Sequence, residues 1–218
     1  MVTDARAALG QIAAALNNFP CTALTSIGIT GTNGKTSTAF LVEHALNAGQ
    51  SSCGIMGTVV QRWPGVSEAA NMTTPDAITL QETAGRMRDD GVENMVLEVS
   101  SHAIEQRRVD AVDFTVAAFT NLSQDHLDYH GTMEAYADVK ERLFTELLPS
   151  SPSGKGAVIN VDDPIGRRYS SNSSLPVLRY GLETSHSLSL TVEGLASDLS
   201  GTRGTLKSDW GTLPFSTP

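Results

Sequence analysis

The stretch LTSIGITGTNGKTST, residues 24–38, decides the fold. Residues 24–30 read as a short buried strand, and the residues from about Lys35 to Ala48 read as a helix. Between them lies the glycine-rich turn Gly31-Thr32-Asn33-Gly34-Lys35-Thr36. Glycines let the backbone turn tightly and aim N–H groups at phosphate oxygens. The helix N-terminus adds a favourable dipole, Lys35 adds a point charge, and the Thr36 hydroxyl can take a magnesium ligand position. The longer phosphate-loop pattern has a glycine five residues before Gly34. Ile29 stands there, so the match is to the shorter G-x-x-G-K-T form. The flanking strand and helix argue against a chance glycine turn.

Outward from this unit, strands and helices alternate. A helix is expected over residues 4–18, ended by Asn17, Asn18 and Pro20. Residues 51–60 resume a strand pattern, and 61–75 read as a loop broken by Trp63-Pro64-Gly65 and Thr74-Pro75. A helix around 76–90 leads into the apolar strand 94–99, and 114–120 is a further strand. Residues 132–148 form a helix, 157–160 a strand, and 164–169 open a short helix. This alternation predicts an α/β fold of the P-loop NTPase type, a mostly parallel sheet with helices on both faces. From about residue 176 the chain is rich in Ser, Thr and Gly. Short alternating runs such as LSLTVEGL predict a small antiparallel sheet near the C-terminus.

The 218 residues suit one large domain, or one domain with a smaller appendage, and 40% hydrophobic residues provide for a core. A net charge of -9 argues against nucleic-acid binding but not against local phosphate recognition. Cys21 and Cys53 lie in no C-x-x-C or Cys/His cluster and read as reduced thiols. No apolar run is long enough to span a bilayer, and the N-terminus has no secretory pattern, so a cytoplasmic protein is expected.

Three further places carry chemistry. Asn94 to Glu98 is an apolar strand ending in a carboxylate, where sheets of this class bind ligands, so Glu98 stands where a Mg²⁺ ligand belongs. The bland reading is a carboxylate at the start of a surface loop. The run from Asn121 to His130 packs two acids and two histidines, His126 and His130, past a strand end, and can bind metal or phosphate. Lys140 lies in an apolar helical stripe with Tyr136, Phe144, Met133 and Leu147. Desolvation lowers a lysine's pKa, and a neutral amine can react with CO2 to give an anionic carbamate. The alternative is a lysine that snorkels to water.

The blocks GITGTNGKTST, TTPD (73–76), LEVSSHAIEQRRVD (97–110), NLSQDHLDYHGTMEAYADVK (121–140) and INVDDP (159–164) resemble the Mur ligases, and most of all the MurE type. That resemblance implies an ATP-dependent ligase of peptidoglycan synthesis, which adds the third amino acid to UDP-MurNAc-L-Ala-D-Glu. The D-Glu carboxylate attacks the γ-phosphate of ATP, and the incoming amine, meso-diaminopimelate or lysine, displaces phosphate from the acyl phosphate. It implies that Gly31, Thr32, Asn33, Gly34, Lys35, Thr36 and Ser37 bind ATP. Thr36, Glu98, His126 and Lys140 would serve two Mg²⁺ sites, with Lys140 carbamylated. Lys35, Glu98, His126 and Lys140 would be the catalytic set. Thr73, Thr74, Ser100, Gln106 and Arg108 would contact the UDP-MurNAc-dipeptide. Met72 departs from the asparagine often found before the Thr-Thr pair. The small-molecule substrates and a monomeric state complete the expectation.

Residues 1–20 resemble the stretch preceding the family's central domain, and 21–218 that domain, incomplete at its C-terminal end. The N-terminal uridine-binding domain, the later asparagine motif that contacts adenine and the C-terminal amino-acid domain have no counterpart. The expectation is a fragment that binds nucleotide weakly and does not ligate alone. Competing readings are a folylpolyglutamate synthetase-like ligase, a kinase, or a non-catalytic nucleotide-binding remnant.

Overall fold

A computed structural model describes residues 4–182, 187–199 and 201–217. Parts of the expected N-terminal stretch (1–3) and of the tail (183–186, 200 and 218) lie outside the described residues.

The chain begins with α1 (Ala5–Leu16), capped by the Asp4 side chain, which accepts from the N–H groups of Arg6 and Ala7. Asn18 and Phe19 at positive φ end it. The central strands are β1 (Thr25–Thr30), β2 (Cys53–Met56), β5 (Asn94–Glu98), β6 (Phe114–Phe119), β7 (Gly156–Asn160) and β8 (Val177–Tyr180). They pair in the order β8-β7-β6-β1-β5-β2, all parallel. The strands β3 (Val60–Trp63) and β4 (Val66–Ala69) extend one edge as a hairpin. The antiparallel strands β9 (Leu190–Asp198), β10 (Gly201–Ser208) and β11 (Gly211–Thr217) extend the other, joined through Tyr180 beside Leu190.

Strand side chains alternate between faces, and that alternation builds two cores. Ile29, Cys53, Ile55 and Val96 face α2 (Lys35–Ala48) and its Ala39. Their neighbours Met56, Met95, Leu97, Phe114, Ala117 and Phe119 point the other way, into a larger core. That core is covered by α3 (Ala77–Asp89), α4 (Ser101–Glu105), the segment from α6 (Met133–Arg142) to α7 (Leu148–Ser150), and α8 (Pro164–Asn172). The short α5 (Leu127–His130) precedes α6. Helix α1 packs on α3, where Arg88 donates to the Asn17 carbonyl at 2.7 Å. Both cysteines are free and buried, and burial pushes both thiols up to about 12.

The mostly parallel sheet, the helices on both faces and the antiparallel C-terminal strands agree with the sequence reading. Three details differ. Residues 61–75 are not all loop, because Pro64 and Gly65 (φ +83°) make the tight turn of the β3–β4 hairpin. The tail's first strand, β8, is parallel to β7 rather than antiparallel. The helix expected over 132–148 is interrupted by a π turn at Leu143–Leu147, directly after Arg142.

Candidate active site

The phosphate loop sits where the strand order reverses, at the carboxyl ends of β1 and β6, the usual ligand crevice of such sheets. The loop after β6 holds it: Thr32 N–H donates to the Asn121 carbonyl at 2.8 Å, and the Thr120 hydroxyl donates to the Asn33 carbonyl at 2.7 Å. Gly31 and Gly34 take φ of +144° and +85°, the region that favours glycine. Lys35 arches over the loop, and its Nζ donates to the carbonyls of Gly31 (2.8 Å) and Thr32 (2.9 Å). Burial pulls its pKa down, against the opposing pull of Glu98 and Asp125. Ser37 is exposed on the first turn of α2.

Glu98 ends β5 next to this loop and is fully buried. Its carboxylate accepts from the Thr36 hydroxyl (2.9 Å), the Thr58 N–H (2.9 Å) and the Thr58 hydroxyl (3.0 Å). The Thr74 hydroxyl donates to the Glu98 carbonyl (2.7 Å) and accepts from the Ser100 N–H (3.0 Å). Arg108 donates to the Thr74 carbonyl (3.0 Å) and to Gln106 Oε1, and Thr73 lies 3.1 Å from the Thr58 hydroxyl. The structure therefore gathers Thr73, Thr74, Ser100, Gln106 and Arg108 into one rim beside Glu98. Met72, whose sulfur accepts from Arg108 at 3.4 Å, closes it.

Lys140 does not snorkel. It is 1% exposed, and its Nζ contacts the Gly31 carbonyl (3.2 Å), the Thr30 hydroxyl (3.4 Å) and the Tyr136 ring, 4.8 Å from the centroid. Burial, reinforced by the nearby Lys35 charge and opposed by Asp125, brings its pKa down to about 7.

His126 adopts a left-handed backbone (φ +51°) at the start of α5. Its ring contacts His102 (4.9 Å between centroids) and Tyr136 (6.1 Å), and its Nε2 lies 3.4 Å from Asp125. His130 stacks on Tyr136 at 5.1 Å and pairs with the Ser101 hydroxyl at 2.8 Å. The histidines thus meet Tyr136, which in turn covers Lys140, while Thr36 and Glu98 hydrogen-bond on the other side of the loop. Among the described residues no group of three His, Cys, Asp or Glu is arranged to cage a metal. A buried carboxylate beside a threonine hydroxyl and a phosphate loop is instead the donor set of a hard cation that takes its remaining ligands from phosphate and water.

The sequence reading left Thr58, Tyr136 and His102 without a role. Thr58 follows Gly57, whose added Cβ would lie 2.1 Å from Glu98 Oε1, and that close approach is invisible in a sequence. His102 lies within the quoted EVSSH block, the signal that could have drawn it into the site.

A parallel sheet with a glycine loop at its switch point, a lysine on the loop and an acid at the next strand's end defines a phosphate-loop nucleotide-binding unit. Residues 29–218 match the Mur ligase middle domain, and the chain belongs to that family. It is 45% identical over 216 residues to the UDP-N-acetylmuramoyl-L-alanyl-D-glutamate–2,6-diaminopimelate ligase of Geobacter metallireducens, covering 98% of this chain and 42% of that one. It is 47% identical over 213 residues to the ligase of the same name from Synechococcus elongatus, covering 96% and 41%. A solved structure of a ligase of this name superposes with a TM-score of 0.82 at 32% identity, over 97% of this chain and 44% of that one. The chain thus spans less than half the length of these relatives.

Proposed function

We propose that this chain is the nucleotide-binding part of a MurE-type ligase that joins 2,6-diaminopimelate to UDP-MurNAc-L-Ala-D-Glu at the expense of ATP. The observation that carries the reading is the convergence of Lys35, Thr36, Glu98 and Lys140 on one loop.

In this reading the loop N–H groups hold the β- and γ-phosphates of ATP, and Lys35 exchanges its carbonyl partners for phosphate oxygens. Thr36 and Glu98 would hold one Mg²⁺, and His126, on the Tyr136 side with Lys140, would serve the second site; the ions would neutralise charge on the phosphate oxygens. Lys140, close to neutral at physiological pH, forms an N–C bond to CO2 and releases a proton. The resulting carbamate is anionic and suits a second Mg²⁺. Thr73, Thr74, Ser100, Gln106 and Arg108 hold the muramoyl dipeptide. A D-Glu carboxylate oxygen bonds to the γ-phosphorus as the bond to ADP breaks. The diaminopimelate amine then attacks the acyl carbon, phosphate leaves, and the amine loses a proton. The protein's contribution is positioning and charge compensation. No helix among the described residues is long and apolar enough to cross a membrane, and the reading implies a cytoplasmic monomer acting in peptidoglycan synthesis.

The first half-reaction is directly testable. Incubating the chain with UDP-MurNAc-L-Ala-D-Glu, MgATP and hydroxylamine is expected to give a glutamyl hydroxamate and ADP. ADP release that ignores the muramoyl dipeptide, with no hydroxamate, would contradict the proposal.

A further inference from the structure

The β2–β3 turn brings Gly57 and Thr58 against the end of β5. Thr58 is exposed at the mouth of the site, yet it supplies two of the three donors to the buried Glu98 carboxylate. Its N–H fixes Oε1, and its hydroxyl shares Oε2 with Thr36. The hydroxyls of Thr58 and Thr73 are 3.1 Å apart. A threonine hydroxyl has a single proton, and a carboxylate is the stronger acceptor. The Thr58 hydroxyl is placed to donate to either the Glu98 carboxylate or the Thr73 hydroxyl, and its one proton favours the carboxylate. Thr73 on the rim and Glu98 beside the Thr36 hydroxyl thus share the Thr58 hydroxyl as their common donor.

We propose that Thr58 is a positioning residue of this site: it orients the Glu98 carboxylate toward the cation beside Thr36 and links that carboxylate to Thr73 on the rim. The inference rests on the reading of Glu98 as a cation ligand. Binding of a muramoyl dipeptide at Thr73 alters the competition between Thr73 and Glu98 for the Thr58 proton, so occupancy of the rim is felt at the cation ligand. Gly57 makes the arrangement possible, because any side chain there would strike Glu98.

The test is the Mg²⁺ dependence of ADP binding to the 218-residue chain, followed by calorimetry with and without EDTA. Thr58→Val replaces the hydroxyl of an exposed side chain with a methyl group and keeps the backbone N–H bond to Glu98. It is expected to raise the Mg²⁺ concentration giving half-maximal enhancement about tenfold, the weight of one charge-assisted hydrogen bond. Affinity in EDTA is expected to stay at the wild-type value. Thr58→Ser is expected to restore the Mg²⁺ dependence to within about twofold, which a purely structural role would not require. Glu98→Gln separates the two readings. If it abolishes the Mg²⁺ enhancement and Thr58→Val leaves it unchanged, the role of Thr58 is overturned while that of Glu98 stands. If Glu98→Gln leaves the enhancement intact, Glu98 is not the cation ligand and the inference falls with it. Equal weakening by Thr58→Val with and without Mg²⁺, unrelieved by serine, also overturns it.

Discussion

Lys140→Met is expected to make the fold more stable at pH 6 and to remove hydroxamate formation. The amine is almost wholly buried, and its closest contacts are a carbonyl, a hydroxyl and an aromatic face rather than a carboxylate. In the unfolded chain a lysine titrates near 10.5, whereas here burial holds it at about 7. Between those values the unfolded chain binds a proton that the folded chain has shed, so stability rises with pH across the window. Below about 7 the full cost of the buried ammonium is present. Methionine has similar length and no charge. It is expected to recover on the order of 3 kcal/mol at pH 6, with the gain shrinking toward pH 9. Urea unfolding at the two pH values checks this, and a variant less stable than wild type at pH 6 would contradict it. The same variant has no amine to form a carbamate, and hydroxamate yield is expected to fall at least about 100-fold. A buried lysine with no part in the reaction would show the pH-dependent gain without the chemical loss.

Gly31→Ala is expected to cost about 3 kcal/mol of stability and at least about tenfold in nucleotide affinity. The added Cβ would lie 2.0 Å from the Thr120 hydroxyl and 3.0 Å from the Asn121 carbonyl, at a φ of +144°. Thr120 cannot rotate away freely, because its hydroxyl is bonded to the Asn33 carbonyl of the same loop. The strain therefore passes into the backbone that would bind phosphate. Gly65→Ala is the control: its φ is also positive, but nothing lies within 4 Å of the added Cβ. Its cost is expected to be about 1 kcal/mol, from backbone strain alone, with nucleotide affinity unchanged. Calorimetry and urea midpoints on the two variants separate crowding in the loop from the common effect of a positive φ.

These expectations show which parts of the molecule are written locally in the sequence. The loop, α2 and the strands carrying Met95, Val96 and Leu97 were legible because glycine spacing and apolar runs act over a few residues. The desolvation of Lys140 was legible as a lysine inside a helical stripe, although its contact with the Gly31 carbonyl was not. The β3–β4 hairpin was hidden because Pro64 and Gly65 signal a break without saying whether strands resume beyond it. Helices α4 and α5, of five and four residues, are too short to show a period. The π turn after Lys140 depends on packing of Leu143, Phe144 and Leu147 into the core, which a 3.6-residue repeat does not reveal. The partners of Glu98 come from 40 and 62 residues away, and the histidine cluster joins α4 to α5 across Tyr129. Only the folded sheet brings these segments together.

The central claim is that Gly31 to Thr36 and Glu98 act as one nucleotide–cation site. Titration of the chain with a non-hydrolysable ATP analogue, with Mg²⁺ and with EDTA, tests it most directly when wild type, Lys35→Ala and Glu98→Gln are compared. Wild type is expected to bind more tightly with Mg²⁺, Lys35→Ala to lose about 100-fold, and Glu98→Gln to lose only the Mg²⁺-dependent part. The same affinity in all three proteins, indifferent to Mg²⁺, would contradict it.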